Sequence, residues 1–191
     1  ISSIADLKGK KVAATSGTSA EIILNLALKS AGLTSDDLEI VEMDANGMVS
    51  AMVSGNVDAC ATWSPGTVTI SEALGDKTVW LATNQDYINE ATFPSSFITT
   101  QKYADEHHDI LVRFSRALQK AADYRNEHIE EVAEMVAKQC EVDASTMLAC
   151  VGEGNWTITS DFQKKALEDG TIQKYYENQQ QVFIDGGRLT E

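Results

Sequence analysis

Proline, cysteine and cationic side chains are all scarce in this sequence. Two prolines in 191 residues leave no material for Pro-rich linkers or polyproline spacers. No apolar run approaches the roughly 20 residues that a membrane-spanning helix needs. Lys and Arg number 15 against 29 Asp and Glu, a net charge of −14. The basic residues are scattered rather than clustered, and such a surface repels nucleic acid and anionic membrane, so both are excluded as partners. Cys60, Cys140 and Cys150 form no CxxC pair and have too few neighbouring histidines for a zinc site, so no metal is expected. They read as small buried apolar side chains, with a Cys140–Cys150 bridge as the alternative in an exported protein. The chain opens on Ile1 rather than Met, which points to a start further upstream.

Catalytic patterns are equally scarce. There is no GxSxG elbow, no HExxH, and no Cys/His pair at a strand end. His107, His108 and His128 fall on charged helix surfaces or ends, and the carboxylates Asp36, Asp37, Glu130, Glu131 and Glu141 read as exposed helix-end charges. No catalytic residue and no cofactor is expected, and the composition, 43% hydrophobic and 23% charged, is that of an ordinary globular protein.

What is present is alternation. Lys11–Thr15 reads as a strand, and Ala20, Ile23, Leu24, Ala27, Leu28 and Ala31 then mark one face of a helix that Gly32 ends. Leu38–Met43 and Val57–Thr62 read as strands, Gly47–Ser54 and Val68–Leu74 as helices, and Thr78–Thr83 and Phe97–Thr100 as further strands. This spacing predicts βαβ units and a largely parallel sheet. A seam falls near Ala91–Ser95, where Pro94 breaks the chain. Beyond it, Tyr103 to Val182 reads as almost continuous helix. Ile110, Phe114, Ala117, Ala121 and Tyr124 form one stripe, and Ile129, Val132, Ala133, Val136, Ala137 and Cys140 another. Ser160 with Gln163 matches a capping box.

Three strand-to-helix corners carry candidate binding residues. At Ser16-Gly17-Thr18-Ser19 free backbone N–H groups and the positive end of a helix dipole leave the carboxyl edge of the sheet, a ready seat for sulfonate, carboxylate or phosphate. The plain alternative is that Thr18 or Ser19 merely caps the helix. Thr62 and Trp63 end a strand where open α/β sheets bind ligands, and Pro65 just beyond favours a loop over a core position for the indole. Asp44 or Asn46 starts the next helix, as a cap first and a ligand contact only in addition.

Taken in order, Asp6-Leu7-Lys8-Gly9-Lys10-Lys11-Val12-Ala13, Ser16-Gly17-Thr18-Ser19, Gly55-Asn56-Val57-Asp58-Ala59, Trp63-Ser64-Pro65 and the run from Phe97 to Ala104 resemble the nitrate/sulfonate/taurine family of ABC-transporter substrate-binding proteins. His108 departs from that family's usual Pro. The resemblance implies an α/β, type II periplasmic-binding-protein-like fold: residues 1–92 form one complete α/β lobe, and residues 93–191 form the mostly helical C-terminal part of the other. The family's N-terminal third has no counterpart here, so the apolar stripes of the second half are expected to lie open, a state that invites chain–chain association.

By the same resemblance the chain is the solute-binding component of an ABC importer, extracytoplasmic, either periplasmic or anchored as a lipoprotein. It would capture a small anionic or zwitterionic solute (a sulfonate, taurine, nitrate or a pyrimidine precursor) and deliver it to a membrane permease. The implied ligand contacts are Ser16, Gly17, Thr18, Ser19, Asp44, Thr62 and Trp63, with Phe93 and Pro94 at the hinge on which two lobes close. Two alternatives share the fold: an enzyme of thiamine-pyrimidine synthesis, which needs a reactive His or Cys cluster in the cleft, and the effector-binding domain of a transcription regulator, which needs a helix-turn-helix upstream.

Overall fold

The structure, a computed structural model, describes residues 1–154 and 158–190. Residues 155–157, inside the stretch expected to be helical, and residue 191 lie outside the described residues. The chain divides into two compact units, Ile1–Phe93 with Asn178–Glu191, and Pro94–Glu177.

The first unit begins with a 3₁₀ turn, Ile4–Leu7, that sends Leu7 into the core. Strand β1 (Lys11–Ala14) follows, then helix α1 (Ser19–Ser30), β2 (Glu39–Glu42), α2 (Ala45–Ser54), β3 (Ala59–Cys60) and α3 (Gly66–Leu74). The three strands form one parallel sheet in the order β2-β1-β3, with Val12 opposite both Ile40 and Ala59. Side chains of successive strand residues alternate between faces, and the central strand is covered on both. Val12 and Ala14 pack with Leu7, Leu24 and Leu28 on the α1 side. Ala13 packs with Met48 and Val57 on the α2 side. Val12, Ala13, Leu28 and Met48 are at most 1% exposed, which identifies β1 as the strand around which this unit is built.

Local chemistry sets the helix limits. Thr18 is the N-cap of α1, its hydroxyl accepting the Glu21 N–H, and Asp44 caps α2 by accepting the Gly47 N–H at 2.7 Å. Main-chain bonds extend the β1–β3 pairing to Asp58 and Ala61, yet the ladder of β3 is shorter than the expected Val57–Thr62.

Two expected strands do not form. Thr78–Thr83 runs without a ladder; Leu81 packs against the α1-side cluster, while Val79 and Trp80 remain exposed. Phe97–Thr100 also pairs with nothing among the described residues. Its Thr100 instead caps the next helix, accepting the Tyr103 N–H. The reason is common to both: strand propensity yields a strand only where the segment pairs with an edge, and among the described residues neither segment joins the sheet.

The second unit is helical: α4 (Gln101–Glu106), α5 (His108–Glu127), α6 (Ile129–Cys140), α7 (Ala144–Ala149), α8 (Ser160–Glu168) and the start of α9 (Thr171–Asp185). Its core is small-residue packing, with Ala133, Ala137, Met147, Cys150 and Ala166 buried. The α5 stripe exists, but Ile110, Phe114 and Tyr124 stay exposed, as do Phe97 and Ile98; Phe97 meets Phe114 edge-on at 5.3 Å. Cys140 is exposed although it shares a helix face with the buried Ala133 and Ala137, because it is the last residue of α6 and the cover over that face stops short of it. Cys60, Cys140 and Cys150 are all thiols; Cys150 is buried and Cys60 half-buried, and burial pushes the Cys60 thiol up to about 11. The cap of α8 is Thr159, whose hydroxyl accepts the Phe162 N–H, one residue before the Ser160 expected from the capping-box pattern.

Leu28 closes the α1 face with no exposed surface. We expect Leu28→Ala to destabilise the first unit by about 2–5 kcal/mol in urea unfolding monitored by circular dichroism. A loss under about 1 kcal/mol would contradict the packing described.

Candidate functional site

In a parallel sheet ordered β2-β1-β3, the chain leaves β1 through α1 to β2 on one side and crosses through α2 to β3 on the other. The carboxyl ends of β1 and β3 therefore meet where the direction of the connections reverses, the switch point at which open α/β sheets bind ligands. The sequence places a candidate cluster on each side of it, Thr15–Ser19 after β1 and Thr62–Trp63 after β3. The two strand ends adjoin directly, with the Ala61 N–H donating to Ala13 O at 2.8 Å.

The β1 corner is open to solvent. Ser16, Gly17 and Ser19 are exposed and Thr18 is half-buried. Gly17 has φ +82°, a conformation that side-chain-bearing residues rarely adopt, and it turns the chain directly into α1. The Thr15 hydroxyl ties the end of β1 to Met43 O at 2.7 Å, and the Thr18 hydroxyl donates back to Thr15 O at 2.7 Å. Among the described residues, the amides of Thr18, Ser19 and Ala20 have no acceptor. They point out of the positive end of α1, beside the Ser19 hydroxyl.

Two carboxylates frame these donors, and neither was singled out in the sequence reading. Glu42, opposite Ala14 in the β1–β2 register, accepts the Ser16 N–H at 2.9 Å and the Ser16 hydroxyl at 2.8 Å. The amide bond first, and the hydroxyl second, hold its carboxyl below the usual glutamate range. Glu21 accepts the Gly17 N–H at 2.8 Å and forms an ion pair with Arg188. The pattern Thr18-x-x-Glu21 is a helix-start signature that would have flagged Glu21. Glu42 becomes visible once the strand register is known, and Arg188 only from the fold.

On the β3 side Trp63 is 41% exposed, so the indole is no core residue and offers an apolar wall and one N–H donor. The Thr62 Oγ1 is buried with no hydrogen-bond partner among the described residues. Asp44 is exposed and engaged with Gly47 as the α2 cap. Phe93 and Pro94 fall on either side of the boundary between the two units. Of the histidines, His107 meets the Tyr103 ring at a tilt and His128 stacks on Tyr124, all in the second unit. Among the described residues no cluster of three or more His, Cys, Asp or Glu has metal-site geometry, and no helix is long and apolar enough to cross a membrane.

A family model described as NMT1/THI5 like matches residues 1–132. A Brucella abortus protein named as a binding protein is 33% identical over 187 residues, covering 98% of this chain and 58% of that protein. A Bacillus subtilis protein named for aliphatic sulfonates binding is 29% identical, covering 91% of this chain and 52% of that protein. The chain thus spans a little over half the length of these relatives. Among solved structures, the periplasmic aliphatic sulphonate binding protein SsuA of Escherichia coli superposes with a TM-score of 0.70 at 25% identity, over 93% of this chain and 57% of that one. The desulfurization enzyme DSZB superposes with a TM-score of 0.70 at 18% identity over all of this chain and 67% of that one. At that identity the likeness shows a shared fold alone.

Because the Glu42 carboxyl is held low, its bonds to Ser16 contribute stability that is present above the ordinary glutamate value and lost as pH falls through the lowered one. Following the Ser16 amide by NMR should give a titration midpoint below the ordinary glutamate range. A midpoint at or above that range would contradict the contact. Thr18→Ala should cost about 1 kcal/mol through loss of the α1 cap, measured by denaturant unfolding.

Proposed function

The chain belongs to the NMT1/THI5-like family, and from that membership we propose that it is the solute-binding component of an ABC importer. In this reading it works outside the cytoplasm, in the periplasm or anchored at the cell surface as a lipoprotein. It captures a small anionic or zwitterionic solute of the sulfonate type and hands it to a membrane permease.

The observation that carries the proposal is the pairing of two different chemistries across one switch point. At the end of β1 the amides of Thr18, Ser19 and Ala20, with the Ser19 hydroxyl, converge on solvent at a helix N-terminus. An anionic head needs such donors, fixed in advance so that little ordering is lost on binding. On the β3 side of the same switch point the exposed indole of Trp63 and the unpartnered Thr62 hydroxyl suit the apolar and polar parts of a short organic tail. Binding-protein names among the relatives, one of them an aliphatic sulphonate binding protein of like fold, support the same reading.

Ser16 takes a supporting role here, its amide and hydroxyl held by Glu42, while Gly17 stays among the proposed contacts, its amide resting on Glu21. Asp44 positions α2 as its cap, with a ligand contact only in addition. Closure of two lobes about Phe93 and Pro94 is the proposed capture step, with ligand contacts favouring the closed state; the unit boundary at that dipeptide supports the placing of the hinge.

Isothermal calorimetry of the chain against short alkanesulfonates, an aminosulfonate, carboxylates and nitrate tests the proposal. We expect binding in the sulfonate group, weakened at least about fivefold by Trp63→Ala, which corresponds to about 1 kcal/mol. Silence across the whole panel would sink the transport reading. Unchanged affinity with lowered stability in Trp63→Ala would remove the indole from the site.

A further inference from the structure

The C-terminal segment reaches the β1 corner. Helix α9 ends in a Schellman turn: the Arg188 N–H donates to Phe183 O at 2.9 Å and the Gly187 N–H to Ile184 O at 2.9 Å, with Gly187 at φ +70°. Main-chain bonds alone therefore fix the residue that follows Gly187. That residue, Arg188, puts its guanidinium on the Glu21 carboxylate. One guanidinium nitrogen lies 3.5 Å from where a Cβ on Gly17 would stand, so the cation is at the corner itself. Glu21 and Arg188 are 167 residues apart in sequence, and both belong to the first unit.

This arrangement has the form of a filled anion contact. Glu21 presents a carboxylate to one backbone N–H, that of Gly17, and to one guanidinium, the two donor types that an incoming anion would seek. We infer that Glu21 is a built-in competitor for the solute's anionic head, and that Arg188 is the cation for which the two compete. The inference rests on the corner being the solute site, as proposed above. It goes further in naming the exchange. An anion entering over the Thr18, Ser19 and Ala20 amides takes the Gly17 N–H and the guanidinium, and Glu21 turns to solvent. Glu21 is tethered beside its donors and so acts at a high effective concentration. The solute gains only the difference between its own contacts and those of the carboxylate. Affinity is thereby held down, which suits a protein that must also release its cargo. An anion with three acceptor oxygens has the advantage, because it engages the three α1 amides that Glu21 leaves without partners.

The test uses the full chain as wild type, Glu21→Gln and Arg188→Gln, with ethanesulfonate and inorganic sulfate as probes at constant ionic strength. Without probe, the Gly17 amide proton should shift upfield in Glu21→Gln, where the charged acceptor is lost; an unmoved resonance overturns the inference. With probe, Glu21→Gln should bind about threefold to tenfold more tightly, and Arg188→Gln about tenfold more weakly. Equal or weaker binding by Glu21→Gln, or unchanged binding by Arg188→Gln, also overturns it. If the wild type binds neither probe while the Gly17 amide still moves in Glu21→Gln, the transport reading falls and the Glu21 contact on Gly17 is supported.

Discussion

The first unit depends on the parallel pairing of β1 with a strand on each side. Val12, Ala13 and Ala14 are all buried, which is achieved only when helices cover both faces of the sheet. That double cover requires α1 and α2 to lie on opposite faces of the sheet, and it leaves the start of α1 at the carboxyl end of β1. The sheet is thus both the source of the core and the cause of the site. Of the residues at its carboxyl edge, Thr15 knits β1 to β2, Thr18 starts α1 and Trp63 borders the switch point from β3.

Periodicity recovered β1, α1, β2, α2 and α3 because each carries its own signal: an apolar stripe at helical spacing, a cap, or a terminating glycine. Asp44 and Thr18 were readable as caps for the same reason, since a cap is a bond between near neighbours in sequence. Thr78–Thr83 and Phe97–Thr100 were misread because their strand-like composition says nothing about a partner. Leu81 still points inward, so the alternation was real although the ladder was not. The exposure of Cys140 has a similar origin, in that a stripe says which side is apolar but not how far along the helix the cover extends. At the corner, the donors were legible and their internal acceptors were not. Glu42 arrives through strand register and Arg188 through a contact across most of the chain, and neither leaves a local mark.

The distribution of charge bears on the site as well. The chain carries −14 overall, and two of its carboxylates stand at the proposed anion site. A bare acidic corner would repel such a solute. Here the Ser16 amide and hydroxyl satisfy Glu42, and Arg188 faces Glu21, so the local field is milder than the composition implies. Family membership and the likeness in fold to sulfonate-binding proteins are therefore compatible with an acidic surface, because the relevant quantity is the potential at a few donors.

The Schellman turn after α9 has one more consequence. Since main-chain bonds draw the path from Phe183 to Leu189, residue 188 is placed independently of its own side chain. Related chains are thereby at liberty to exchange the group at that position, for a longer, shorter or uncharged one, while every backbone atom around it stays where it is. Under the proposed reading, preference among solutes in such a lineage would drift through single substitutions at that position, at the cost of one exposed ion pair.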